Sequence, residues 1–127
     1  MTEALKTKKV LVVDDDPTVL KLLEKVFASG GYEVVCSKDA PCGLEMALKG
    51  KPDLIILDIM MPIINGYNIC RLLKSQEGQK HIPVILLTSR AGDEDRKIGV
   101  EVGADAYIPK PFKTEDLLSK ARDLLNP

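Results

Sequence analysis

The 127-residue sequence lacks most features that mark a specialised protein, and each shortage excludes a class. No stretch approaches the ~20 consecutive apolar residues of a membrane-spanning helix. The segment from Met1 to Lys9 carries charge but no apolar core, so no signal peptide is expected. Cysteine is scarce. Cys36, Cys42 and Cys70 form no Cys-x-x-Cys pair, and the single His81 makes a poor zinc set with them. Scattered thiols of odd number read as reduced, which fits a cytoplasmic location. Charge of one sign is missing too. Lys and Arg number 18 against 19 Asp and Glu, a net charge of -1, without the basic excess of a nucleic-acid binder. No helix-turn-helix is legible either, so no direct nucleic-acid contact is expected. At 45% hydrophobic residues the chain is not disordered. Repeats, low-complexity segments and linkers are absent. The expectation is one domain over 1–127, with 1–8 a tail and 9–126 the core.

What is present is a strict alternation of apolar runs and helical patterns, the mark of an α/β domain with a parallel sheet. Lys9 to Val13 is a β-branched run that stops at Asp14. From Pro17, the residues Val19, Leu20, Leu23, Val26 and Phe27 recur at three and four, with Asp16 placed to cap that helix and Gly30-Gly31 to end it. Tyr32 to Cys36 reads as a second strand, followed by a shorter helix ending near Gly50. Leu54 to Leu57 is a third strand stopping at Asp58, and Tyr67 to Ser75 a helix. Val84 to Leu87 is a fourth strand stopping at Thr88. Asp93 to Val102 is a polar, weakly periodic helix. Ala106 to Ile108 is a short fifth strand followed by Lys110, and Thr114 is placed to cap a last helix. Strands one, three and four are almost wholly apolar and belong inside the sheet. Strands two and five are mixed and belong at its rims. Right-handed crossovers then give a doubly wound sheet of order 2-1-3-4-5, with five helices on its two faces.

Ligands of such sheets bind beyond the carboxyl ends of the strands, where strand order reverses. The residues delivered there are Asp14 and Asp15, Asp58, Thr88 and Lys110. Carboxylates crowded at one edge repel unless they take up protons or a cation. An all-oxygen set with open positions suits Mg²⁺ that keeps waters and meets a phosphate. The plainer reading makes Asp14 to Asp16 turn and cap residues, and capping is the role assigned to Asp16. Lys110 is flanked by Pro109 and Pro111, which stiffen the backbone that aims it toward Asp58, and Lys110-Pro111 is a candidate cis bond. Thr88 offers a hydroxyl donor. A carboxylate acceptor, a metal site, a donor and a cation are the parts needed to move a phosphoryl group onto an aspartate.

Val10-Leu11-Val12-Val13-Asp14-Asp15-Asp16-Pro17, Pro52 to Pro62, Pro83 to Ser89, and Gly103-Ala104-Asp105-Ala106-Tyr107-Ile108-Pro109-Lys110-Pro111-Phe112 together resemble the receiver domains of two-component response regulators, over almost the whole chain. The resemblance implies a flavodoxin-like fold. It implies that Asp58 is phosphorylated, and that Asp14 and Asp15 hold Mg²⁺ with Asp58 and the backbone carbonyl of Met60. It also implies that Thr88 and Lys110 contact the phosphoryl group. Tyr107 would be an aromatic switch that turns inward when Thr88 moves, altering the surface of the fourth helix, fifth strand and fifth helix. The donor would be a phosphohistidine of a sensor histidine kinase or phosphotransfer protein, or a small acyl phosphate. The target would be a downstream protein or an output domain, with phosphorylation-dependent dimerisation a further expectation. Such a domain is a phosphoacceptor regulator that assists its own phosphorylation and dephosphorylation, not a turnover enzyme. Met60 and Arg90 stand where they would gate the hydrolytic water.

Two other readings compete. Asp14-x-Asp16-x-Thr18-Val19 formally fits the motif of haloacid-dehalogenase-type phosphatases, with Asp14 as nucleophile and Asp16 as acid/base. Yet the helix at Pro17 leaves no room for their usual insertion, and Asp58 would have no role. A flavodoxin-like ligand-binding module without phosphorylation would need a Gly- or Ser/Thr-rich phosphate loop after the first strand, where this sequence has three acids.

Overall fold

Apolar runs whose side chains alternate between two faces must be covered on both, and the chain does this with helices. The structure, a computed structural model, describes residues 7–89 and 92–126. Its elements are β1 (Lys9–Val13), α1 (Pro17–Ser29), β2 (Glu33–Ser37), α2 (Ala40–Gly50), β3 (Leu54–Asp58), α3 (Gly66–Lys74), β4 (Val84–Thr88), α4 (Asp93–Glu101), β5 (Ala106–Pro109) and α5 (Thr114–Leu125). All pairings are parallel, in the order β2-β1-β3-β4-β5, as the strand composition predicts. β3 and β4 are buried throughout, while β2 and β5 are mixed or half-buried, as rim strands should be.

The period of two divides the core. Leu11, Val13, Ile55, Leu57, Val84 and Leu86 meet α2 and α3 on one face, with Ile98 of α4 packed alongside. Val10, Val12, Leu54, Ile56, Ile85 and Leu87 meet Leu23 and Phe27 of α1 and Leu117 and Ala121 of α5 on the other. α2 sits close on β1 because Gly43 has no side chain: a Cβ there would lie 2.6 Å from a Val13 methyl. At the lower edge of the sheet, the Lys74 ammonium donates to the Ile82 carbonyl at 2.8 Å and to Asp105 Oδ2 at 2.9 Å. Asp105 Oδ2 also accepts from the Val84 amide at 2.8 Å, which pins the chain entering β5 to the start of β4.

Helix starts follow the local chemistry. Asp16 caps α1 by accepting from the Thr18 amide at 2.9 Å, Asp39 caps α2 through Cys42 at 2.7 Å, and Asn65 caps α3 through Asn68 at 2.9 Å. Several boundaries differ by one residue from the sequence reading, and two starts have a clear local cause. Thr114 is the first helical residue of α5 and not its cap. Lys113 takes that position in extended conformation with no side-chain bond, so the positive end of the helix is complemented by Glu115 and Asp116 instead. β2 starts at Glu33 rather than Tyr32, because the Tyr32 amide closes onto the Phe27 carbonyl at 3.0 Å and its ring meets Phe27 edge-on.

The β3–α3 loop carries a strained residue. Ile63 has φ 75°, and the Ile64 amide donates to the Pro62 carbonyl at 2.9 Å, making a γ-turn of the strained, positive-φ kind. A β-branched side chain is an outlier there, and at 90% exposure no packing offsets the strain. Ile63→Gly is expected to stabilise the fold by roughly 1 kcal/mol, seen as a rise of about 3–5 °C in a thermal unfolding scan. An unchanged or lower midpoint would show that the turn holds no such strain.

Candidate phosphoacceptor site

Parallel strands deliver the residues that follow them to one edge, so register decides which side chains meet. Val13 lies opposite Leu57, Asp58 opposite Leu87, and Thr88 opposite Pro109. Asp14 and Asp15 therefore leave β1 beside the end of β3, and Lys110 leaves β5 just beyond the end of β4. Carboxylate oxygens of Asp14, Asp15 and Asp58 all lie within 4.8 Å of one another. This is the point of the sheet where strand order reverses.

The site is held from several directions. Asp14 is 1% exposed; its Oδ1 accepts from the Asp16 amide at 2.9 Å and its Oδ2 from the Lys110 ammonium at 2.9 Å. The same ammonium lies 3.5 Å from Asp58 Oδ1. The sequence reading aimed Lys110 at Asp58, but its nearer partner is Asp14. The Lys110 amide donates to the Thr88 carbonyl at 2.6 Å, which fixes where the side chain starts. Asp58 Oδ1 also takes a long bond, 3.4 Å, from the Met60 amide. The Lys110-Pro111 peptide is cis.

Electrostatics follow from this crowding. Burial, and then the negative Asp14, push the Asp58 carboxyl up to about 6, against the pull of Lys110 and the Met60 amide. Burial works against the Lys110 charge, but the bond to Asp14 and the fields of Asp14 and Asp58 outweigh it and raise its pKa. Asp15, at the exposed rim, is the carboxylate most open to solvent. Thr88 is fully buried at the end of β4, and the Met60 side chain is half-exposed beside the site. Arg90 lies outside the described residues.

Tyr107 is not part of the carboxylate cluster. It pairs with Leu86 inside the sheet, and its half-buried ring lies against α4. A Cβ on Gly99 would stand 2.8 Å from Tyr107 Cδ2, and the Arg96 guanidinium carbon is 5.6 Å from the ring centre. Sequence reasoning missed this seat. It also missed Gly66, where a Cβ would come 2.5 Å from the Asp58 carbonyl oxygen. The Asn65-Gly66 pair was readable as a turn, but nothing local announces which backbone the glycine must touch.

The competing readings lose their footing in the same geometry. Asp16 is occupied as a helix cap, and α1 begins at Pro17 with no inserted segment, against the phosphatase arrangement. Three acids occupy the switch point, where an unmodified phosphate-binding module would need a loop of amides free of negative charge.

The comparisons agree. Residues 10–122 match the family described as the response regulator receiver domain. The response regulator MprA of Mycobacterium leprae is 39% identical over 117 residues, 92% of this chain and 50% of that protein. The chain thus spans about half the length of the curated relatives it matches. A chemotaxis protein of Vibrio cholerae, CheY4, superposes with a TM-score of 0.87 at 31% identity, covering 94% of this chain and 99% of that one. The BeF3-activated receiver domain of RstA from Klebsiella pneumoniae does so with a TM-score of 0.86 at 33% identity, covering 94% and 100%. With sheet order, motif order and relatives in agreement, this chain belongs to the response regulator receiver domains of two-component signal transduction.

Proposed function

We propose that residues 9–126 work as one receiver unit in which Asp58 accepts a phosphoryl group. The donor is a phosphohistidine of a histidine kinase or phosphotransfer protein, or a small acyl phosphate. The observation that carries this is the Lys110 ammonium placed between Asp14 and Asp58 at the mouth of the sheet. An Asp58 carboxylate oxygen attacks phosphorus, the bond from phosphorus to the donor's leaving atom breaks, and an acyl phosphate forms. In this reading Lys110 offsets charge on the transferring oxygens, and the Thr88 hydroxyl donates to one of them.

The donor set fits a hard divalent cation. It is all oxygen and closely spaced, and burial together with the charge of Asp14 raises the Asp58 pKa. Asp14, Asp15 and Asp58, with the Met60 carbonyl, would hold Mg²⁺. When bound, that ion supplies the positive charge that lets three carboxylates and a phosphoryl group share one site. The domain is regulatory, and its own chemistry is confined to gaining and losing the phosphoryl group. Its readout is the surface of α4, β5 and α5, moved through Thr88 and Tyr107 and read by a protein partner, an output domain or a second copy. Direct contact with nucleic acid or membrane has no part in this proposal. No described helix is long and apolar enough to cross a membrane. A cytoplasmic setting belongs to the same reading.

Incubation with a small acyl phosphate and Mg²⁺ is expected to add one phosphoryl group per chain, measured by intact mass. Asp58→Asn should abolish the gain, and Lys110→Ala should keep some uptake while losing the change in α4. Uptake by the Asp58 variant, or label recovered on Asp14 after acid quenching and digestion, would falsify the assignment. A pH dependence also follows. Folding raises the Asp58 pKa from 3.8 to about 6, so the folded state binds the extra proton in that window. Stability from this group is therefore lost as pH rises from about 4 to about 6. In metal-free buffer, wild type should lose stability relative to Asp58→Asn across that range. Mg²⁺ should restore wild type more at pH 7 than at pH 5. Parallel denaturation curves for the two proteins would remove Asp58 from the crowded site.

A further inference from the structure

Helix α4 is held in an unusual way. Its only buried residue is Gly99, and it carries Asp93, Glu94, Asp95, Arg96 and Lys97 in succession. Apolar burial therefore does little to fix its position. Its C-terminal end is tied down: the Cys70 thiol meets the Val102 carbonyl at 3.5 Å, and Asp105 is clamped by Lys74 and the Val84 amide. The body of the helix rests on two tyrosines. Tyr107 supplies a ring surface under Gly99 and Arg96. Tyr67, from the first turn of α3, donates its hydroxyl to the Asp95 carbonyl at 3.1 Å.

The footing of Tyr67 is rigid. The preceding Gly66 lies against the Asp58 backbone so closely that no Cβ fits, and its amide donates to the Ile59 carbonyl at 3.0 Å. Tyr67 thus spans from the backbone of the acceptor strand to the least anchored part of the fold. We infer that the Tyr67 hydroxyl is a latch, a positioning residue that holds the N-terminal half of α4 in its unphosphorylated placement. Movement of α4 then breaks the bond from the Tyr67 hydroxyl to the Asp95 carbonyl while the C-terminal end stays clamped. This rests on Asp58 being the acceptor, and it adds a second tyrosine, on a different helix, to the response. Tyr67 and Tyr107 pack against the same core layer, so the two side chains report on one helix from neighbouring positions.

The test is hydrogen exchange of amides 96–99, whose helical bonds close on the carbonyls of residues 92–95, in the whole chain, for wild type and Tyr67→Phe, which keeps the ring and its packing. Without phosphoryl analogue, the variant should exchange there about fivefold faster, the ratio set by one ordinary hydrogen bond, with β1 and β3 unchanged. With Mg²⁺ and beryllofluoride the wild type should approach the variant and the difference should vanish. By linkage, the variant should bind the analogue more tightly, by up to the same factor. Equal α4 exchange in the two free proteins overturns the latch. So does a difference that persists after the analogue has protected amides 14–16 and 58–60. If the analogue leaves those amides of wild type unchanged, the acceptor assignment fails and the latch falls with it.

Discussion

Repulsion among three carboxylates at one edge of the sheet is the constraint to which the rest of the molecule answers. Asp14 and Asp58 are nearly buried, and like charges at this spacing are costly in a low-dielectric setting. The fold offsets the cost with the Lys110 ammonium, delivered from the far end of the chain by a backbone bond to Thr88. The Lys110 ammonium already contacts both Asp14 and Asp58, so it can shift weight between them over less than an ångström.

Rigidity and looseness are distributed around this point. β3 and β4 are buried from end to end, α3 is seated on the acceptor backbone through Gly66, and the lower edge is locked by Lys74 and Asp105. α4 alone among these neighbours contributes no buried side chain. A change of charge in a stiff setting is transmitted where the structure yields, and α4 is the element least opposed by packing.

The framework was legible because it is written in local patterns. Continuous apolar runs distinguish β1, β3 and β4 from the mixed β2 and β5, and that distinction together with right-handed crossovers orders the sheet. Asp14, Asp58, Thr88 and Lys110 were legible because each interrupts an apolar run at its end. The remainder depends on which backbones lie side by side. The preference of Lys110 for Asp14, the Gly66 contact with Asp58 and the Tyr107 seat on Gly99 join residues far apart in sequence. Thr114 shows the limit at short range: its residue type suits a cap, but Lys113 occupies the turn and the helix starts one step later. Tyr67 read as an ordinary helix residue, because the carbonyl it bonds lies 28 positions away.

The glycine beneath α4 has a consequence for how such modules diversify. A helix that lends only the half-buried Ile98 to the interior can have its outward residues, among them Asp93, Lys97, Val100 and Glu101, exchanged at little thermodynamic expense. Selection for one listener over another is therefore free to act on that face, and duplicated copies can drift apart in whom they address while the chemistry at the mouth stays as it was.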